Sequence, residues 1–131
     1  MGEINLTEAE WQVMEALWQR SPQTGRELTE ALEAARGWNR STTLTLLRRL
    51  EAKGAVEAGS AEGKRVFSAL LRREEAAMTE AESFLRRVYR GSLSLMVSSF
   101  ARQQALSEAE RKELRELLRE WEEKNDDRLE P

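Results

Sequence analysis

Apolar side chains in the first half of the chain recur every three or four positions, the spacing of one helical face. This pattern predicts three helices, over residues 8–20, 25–35 and 40–53. A hydroxyl followed three residues later by an acid forms a capping box, and such pairs precede the first two helices at Thr7 and Thr24. The predicted core stripes are Trp11, Met14, Leu17 and Trp18, then Leu28, Ala31 and Leu32, then Thr43, Leu46, Leu47 and Leu50.

Two short strands are predicted after the third helix. Residues 55–58 and 64–70 contain Val and Phe, and the Gly-bounded segment 59–63 between them predicts a flexible five-residue turn. Because two strands are not stable alone, this hairpin must pack on the three helices. The fold class expected is therefore mainly α-helical with a small β-hairpin, a winged helix-turn-helix over residues 1–73.

The second half of the chain, residues 74–124, has helical periodicity with three successive apolar stripes. Gly91 and Ser92 interrupt the pattern, and the pair Ser107 and Glu110 predicts a new helix start. This segment encloses too little volume to bury three apolar faces within one chain, and isolated helices are marginal. We therefore expect a helical arm that pairs with a second copy, followed by a flexible tail at residues 125–131.

Charge is distributed unevenly along the chain. The net charge is −3, yet residues 36–73 hold nine basic and three acidic side chains, and the flanking segments are net acidic. Contact with phosphate requires only a local basic surface. The acidic total therefore does not argue against nucleic acid, and the central segment predicts a nucleic-acid partner.

The face of the third helix opposite its apolar stripe combines arginine with small hydroxyl side chains. Threonine is a poor helix former, so its abundance here points to a function. Small hydroxyls permit close approach to the major groove, and arginine can contact guanine or phosphate. The alternative is an ordinary solvated helix face. The residues predicted to contact DNA are Arg40, Ser41, Thr42, Leu44, Thr45, Arg48 and Arg49.

Four further basic residues lie near this helix. Arg36 and Lys53 bracket it, and Lys64 and Arg65 lie at the hairpin. Contact with phosphates of the DNA backbone is the predicted role of these side chains. For any one of them, a role in solubility alone is an equal alternative.

The chain contains no cysteine and no histidine. This composition excludes disulfides, zinc sites built on these residues and a histidine-based catalytic triad. Acid pairs such as Glu74-Glu75 and Glu122-Glu123 fit exposed helix faces better than a two-carboxylate catalytic site. We expect a protein that is not an enzyme and uses no metal or cofactor. Neither a membrane-length apolar run nor a signal peptide is found, so no membrane insertion and a cytoplasmic location are expected.

Four segments of the chain resemble the BlaI/MecI family of bacterial repressors, the winged-helix regulators of penicillinase and methicillin-resistance genes. They are LTEAEWQVMEALW at residues 6–18, W-x-x-x-T-x-x-T-x-L-x-R-L-x-x-K-G at 38–54, FLRRVYRG at 84–91 and SSFARQQALSEAE at 98–110. The resemblance implies an N-terminal winged helix and a C-terminal dimerisation arm. It also implies a homodimer that represses transcription by occupying a palindromic, double-stranded DNA operator.

The resemblance also assigns residues to each role. Carried over by position, Arg40, Ser41, Thr42, Thr45 and Arg49 would face DNA. The implied dimer interface consists of Phe84, Leu85, Val88, Tyr89, Leu93, Val97, Leu114, Leu117, Leu118 and Trp121.

Some family members are inactivated by proteolysis within the arm, commonly between Asn and Phe. The matching bond here joins Ser99 and Phe100, so a membrane sensor-protease or another inducing protease is an implied partner. Serine in place of asparagine is a departure from the family pattern. Leu44 is another, since some members have arginine there, and contact with a thymine methyl is the expected consequence.

Two other functions are compatible with the sequence. A helical protein-interaction adaptor could use a winged-helix scaffold without specific DNA binding, which the acidic flanks would suit. Nuclease protection of a palindromic fragment distinguishes this adaptor from a repressor. A ligand-sensing repressor with a pocket between arm and hairpin is the other possibility, and thermal-shift screening tests it.

Overall fold

The computed structural model describes residues 3–129, with side chains through residue 125, and within that range it contains six helices and a three-stranded sheet. In chain order the elements are α1 (Glu8–Gln19), β1 (Gln23–Thr24), α2 (Gly25–Arg36), α3 (Arg40–Lys53), β2 (Val56–Ala61), β3 (Lys64–Ala69), α4 (Arg73–Tyr89), α5 (Leu93–Arg102) and α6 (Glu108–Leu129). The prediction of a mainly α-helical fold with a small β-hairpin is confirmed.

The helix starts follow the capping signals in the sequence. Both reciprocal bonds of the capping box are present at Thr7 and at Thr24. The side chain of Asn39 accepts a hydrogen bond from the backbone N–H of Thr42 at 2.8 Å, which caps α3. Local hydrogen bonding therefore sets where each of the first three helices begins.

The hydrophobic core lies where α1, α2 and α3 meet the sheet. The predicted stripe of α3 is confirmed, because all four of its members are buried. On α2 the prediction is wrong at Ala31, which is exposed, since the buried stripe of this helix is a single row of Leu28 and Leu32. The buried residues are Val13, Met14, Leu17, Leu28, Leu32, Leu46, Leu47, Leu50, Ala55, Val56, Phe67, Leu71 and Ala76, together with the polar Glu10, Gln23 and Thr43.

The β2–β3 hairpin, called the wing below, has a tighter turn than predicted. Ala61 pairs with Lys64, so only Glu62 and Gly63 form the turn, and both have positive φ (51° and 76°). A two-residue turn with positive φ at both positions matches the twist of a hairpin. The predicted five-residue turn at 59–63 is therefore wrong, because strand pairing uses backbone groups that small residues supply as well as large ones.

A third strand joins the wing on its other side. In β1, Gln23 pairs with Phe67 of β3, which gives the strand order β1-β3-β2. This strand was not predicted, because two residues are too few to show a period. It ties the start of α2 to the wing and thereby completes the sheet.

Contacts divide the chain into two compact units, one through Ser83 and one from Phe84 onward. We call them the winged-helix unit and the C-terminal unit. Residue 73, the predicted boundary, is the first residue of α4, and the first turns of this helix bury Ala76 and lie in the winged-helix unit.

α6 ends later than the sequence pattern indicated. The helix continues through Leu129, so the part of the predicted tail from 125 to 129 is helical, and 130–131 lie outside the described residues. Along residues 3–129, no helix is both long and apolar enough to cross a membrane.

Candidate nucleic-acid interface

Packing of α3 leaves one of its faces turned to solvent. Thr43 and three leucines of the helix are buried, and this fixes its rotation about its own axis. The predicted DNA contacts on the opposite face are exposed at Arg40, Ser41, Thr42, Arg48 and Arg49, and half-buried at Leu44 and Thr45. The arrangement is a ridge of arginine and hydroxyl groups that can enter a groove and donate hydrogen bonds.

Leu44 also contributes to packing. A Cβ built on Gly25 would lie 3.6 Å from Leu44 Cδ2 and 3.6 Å from Phe67 Cε2. The first residue of α2 therefore sits in close contact with α3 and the wing. Sequence reasoning placed Leu44 only on the DNA side, whereas the structure gives it contacts at the edge of the core.

Lys53, at the C-terminal end of α3, lies at the surface of the winged-helix unit, but its ammonium is bound to other residues of that unit. Its Nζ lies 2.6 Å from Glu10 Oε1 and 2.8 Å from the carbonyl oxygen of Asn5. Glu10 is 1% exposed, so the carboxylate is buried. The sequence indicated only a capping role for Glu10, because its ion-pair partner Lys53 lies 43 residues away in the chain.

Electrostatics at this pair favour the charged carboxylate. Burial raises the pKa of Glu10, but hydrogen bonds from Lys53 and Thr7 outweigh this effect, and the pKa lies below its ordinary value of 4.5. Glu10 is therefore ionised at neutral pH, and the positive charge of Lys53 is paired with this buried carboxylate.

The wing carries two of the predicted phosphate contacts, and their surroundings differ. Lys64 follows the turn directly and is exposed. Arg65 Nη2 lies 3.1 and 3.3 Å from the two carboxylate oxygens of Glu51 on α3, and the guanidinium lies over the ring of Phe67. The side chain of Arg65 is still 64% exposed. This pair joins the wing to α3 at the surface, where an ion pair is weak and exchangeable.

The base of α4 is fastened to α1. Arg73 Nε donates to Glu15 at 2.8 Å, and its guanidinium lies over Trp11 and Trp18. Trp18 Nε1 donates to the carbonyl oxygen of Leu71 at 2.8 Å. These tryptophans were predicted to belong to the core, and they pack against it half-buried.

The C-terminal unit presents an apolar groove between α5 and α6. Among the predicted dimer residues, Leu85 and Tyr89 are half-buried and the other eight are exposed, with Trp121 at 64%. Ser99 and Phe100, the predicted cleavage pair, lie inside α5, where Ser99 Oγ donates to the carbonyl oxygen of Leu95 at 3.0 Å. The groove is lined by the apolar residues Leu93, Met96, Val97, Phe100, Leu106, Leu114, Leu117 and Leu118, and by the acidic residues Glu110 and Glu113.

Comparison with known proteins gives consistent matches along the chain. The model of the penicillinase repressor family matches residues 6–120. The penicillinase repressor of Bacillus licheniformis is 30% identical over 115 residues, which cover 88% of this chain and 90% of that protein. The methicillin resistance regulatory protein MecI of Mammaliicoccus sciuri is 26% identical over 113 residues, which cover 86% of this chain and 92% of that protein.

A solved structure matches the winged-helix part. The solution structure of the monomeric form of Bacillus licheniformis BlaI in complex with the blaP half-operator has a TM-score of 0.51 and 26% sequence identity. The match covers 57% of this chain and 93% of that one. Together with the family match over most of the sequence, this likeness places the chain in the penicillinase repressor (BlaI/MecI) family, as a DNA-binding transcriptional repressor and not an enzyme.

Proposed function

We propose that this repressor acts as a homodimer on a palindromic operator, with α3 of each protomer in the major groove. The observation that carries the proposal is the exposed polar face of α3, opposite a fully buried stripe. A two-fold dimer presents two identical helices, which read inverted half-sites about 34 Å apart. The relative BlaI binds a half-operator in its monomeric form, which suits one winged helix per half-site.

Residues of α3 then divide by the chemistry of their side chains. Arg40, Arg48 and Arg49 can donate two parallel hydrogen bonds to guanine or contact phosphate. Ser41, Thr42 and Thr45 contact base edges or phosphate at close range. Leu44, half-buried beside them, offers its exposed part to a thymine methyl.

The wing supplies phosphate contacts beside the groove. Lys64 is exposed next to the turn, so its ammonium can reach a phosphate of the DNA backbone. Arg65 exchanges the carboxylate of Glu51 for a phosphate, because its present ion pair is largely exposed to water. Such contacts orient a protein on DNA without reading sequence.

The C-terminal unit is the proposed dimer interface. Leu117, Leu118 and Trp121 are all more than half exposed on α6, and the groove beside them is apolar. Exposed apolar surface of this kind marks a protein interaction site, and a second copy offers a matching face. Dimerisation joins two weak half-site contacts into one strong one.

Cleavage within the C-terminal unit would reverse repression. The bond between Ser99 and Phe100 lies in α5, and cutting it separates α6 from the DNA-binding residues. An inducing protease, a membrane sensor-protease among the candidates, therefore needs this helix to open locally. Mass spectrometry of the cleaved protein tests the site, because the fragments must end at Ser99 and begin at Phe100. Since an operator lies on DNA, the proposed site of action is the cytoplasm.

Selection of duplexes from random-sequence DNA by the purified full chain is the test of the whole proposal. We expect an inverted repeat, two protomers per duplex and binding that weakens steeply with salt. Arg49→Ala should reduce affinity, and if Arg49 binds phosphate it should also make the negative slope of log K against log salt shallower by about 0.9. A chain that prefers no duplex would instead support the protein-interaction adaptor.

A further inference from the structure

Lys53 differs from the other basic residues of the proposed interface in how its charge is held. Its side chain is 35% exposed, and the ammonium lies against a carboxylate that is 1% exposed. The pair joins residues that are 43 positions apart in the chain. Lys53 is thus the point where the C-terminal end of α3 is attached to the N-terminal end of α1.

Several bonds converge on the carboxylate that holds Lys53. Glu10 Oε1 accepts from Lys53 Nζ at 2.6 Å and from the backbone N–H of Thr7 at 2.8 Å. The hydroxyl of Thr7 in turn accepts from the backbone N–H of Glu10 at 3.1 Å. Lys53 Nζ also donates to the carbonyl oxygen of Asn5 at 2.8 Å. The ammonium of Lys53 therefore links the capping box of α1 to the end of α3.

Contact between Lys53 and a phosphate would dismantle this arrangement. The ammonium would have to leave a buried carboxylate, which would then stay ionised without its cation in a poorly solvated site. Arg65 faces no such obstacle, because its ion pair with Glu51 is surface-exposed.

We infer that Lys53 and Glu10 are positioning residues, which set the angle of α3 on the winged-helix unit and do not contact DNA. Arg49 lies one helical turn before Lys53, so a shift at the end of α3 moves the groove-facing arginine with it. The inference rests on the proposed function of α3 as the DNA-reading helix. It reassigns Lys53 from a phosphate contact to a strut between two helices.

The direction in which Glu10→Gln changes DNA affinity distinguishes a positioning role from a simple effect of net charge. Removal of an acid from a DNA-binding protein strengthens DNA binding if only net charge matters. A positioning role predicts the reverse, about tenfold weaker binding to the duplex that the wild-type chain selects from random-sequence DNA. Glu8→Gln is the matched control, because Glu8 is exposed one half-turn away on α1 and its loss should leave affinity unchanged or slightly higher. Circular dichroism confirms that each variant is folded at the temperature of measurement.

Lys53→Arg keeps the charge and tests the same inference if Glu10→Gln does not fold. A phosphate contact tolerates arginine, so affinity would be retained. The compact ammonium of Lys53 lies between Glu10 Oε1 and the carbonyl oxygen of Asn5, and the larger, planar guanidinium does not fit the same place. A positioning role therefore predicts several-fold weaker DNA binding by Lys53→Arg, with an unchanged salt slope. Retained affinity in either variant, or a salt slope made shallower by about 0.9 in Lys53→Met, would overturn the inference. Failure of the wild-type chain to select any duplex would instead count against the proposed function.

Discussion

Thr43 offers a substitution that should stabilise the protein. The residue is 0% exposed on the core side of α3, and its Oγ1 has no hydrogen-bond partner among the residues that the structure describes. Valine has nearly the same shape and a similar helix propensity, so Thr43→Val removes the buried hydroxyl and little else. We expect Thr43→Val to be more stable than the wild-type chain.

The size of the effect follows from the burial of this hydroxyl. A hydroxyl taken out of water without a compensating hydrogen bond costs about 1–3 kcal/mol in proteins. Recovery of the lower part of that range gives a gain of about 1 kcal/mol in the free energy of unfolding. For a cooperative unit of about 60–100 residues, such a gain raises Tm by roughly 4–8 °C.

Thr42→Val is the matched control, because it makes the same substitution one position earlier on the exposed face. Urea and thermal unfolding at one fixed protein concentration should show Thr43→Val stabilised and Thr42→Val unchanged. Affinity for the selected duplex should show the opposite pattern, with only Thr42→Val weakened. A destabilised Thr43→Val would refute the reasoning, since it would mean that the hydroxyl bonds the carbonyl oxygen of Asn39, one turn earlier.

Three further outcomes are expected. Leu117→Glu puts a charge on the proposed dimer face, so analytical ultracentrifugation should find a monomer. Its affinity for the operator should fall to that of a single half-site, whereas a persistent dimer would show that α6 is not in the interface. Because the pKa of Glu10 is lowered from 4.5, its contribution to stability is present above that pH and is lost as the pH falls through the lowered pKa. The urea midpoints of wild type and Glu10→Gln should therefore differ at neutral pH and converge in acid, and a constant gap would contradict this. Glu51→Gln should release Arg65, so DNA affinity should rise and the salt slope steepen; an unchanged slope would show that Arg65 does not reach phosphate.

Helix positions were predictable because their signals are local. α3 begins after Asn39 and ends at Lys53 as the sequence indicated, since capping and apolar spacing act within a few residues. The same local logic failed at the wing, where Gly59 and Ala61 resembled a loop but pair with β3. Strand pairing depends on what the other strand offers, and composition alone does not reveal it.

By itself, the sequence determined which side chains line the outer face of α3, because a buried apolar stripe fixes what lies opposite it. Only the tertiary structure decided what three of the predicted contact residues do in the free protein. Leu44 packs at the edge of the core, Arg65 pairs with Glu51, and Lys53 reaches Glu10 across 43 residues of chain. The physical reason is distance in sequence. The charge pattern shows how many basic groups lie near a helix, but only the fold places the carboxylates of Glu10 and Glu51 beside two of them in the protein without DNA.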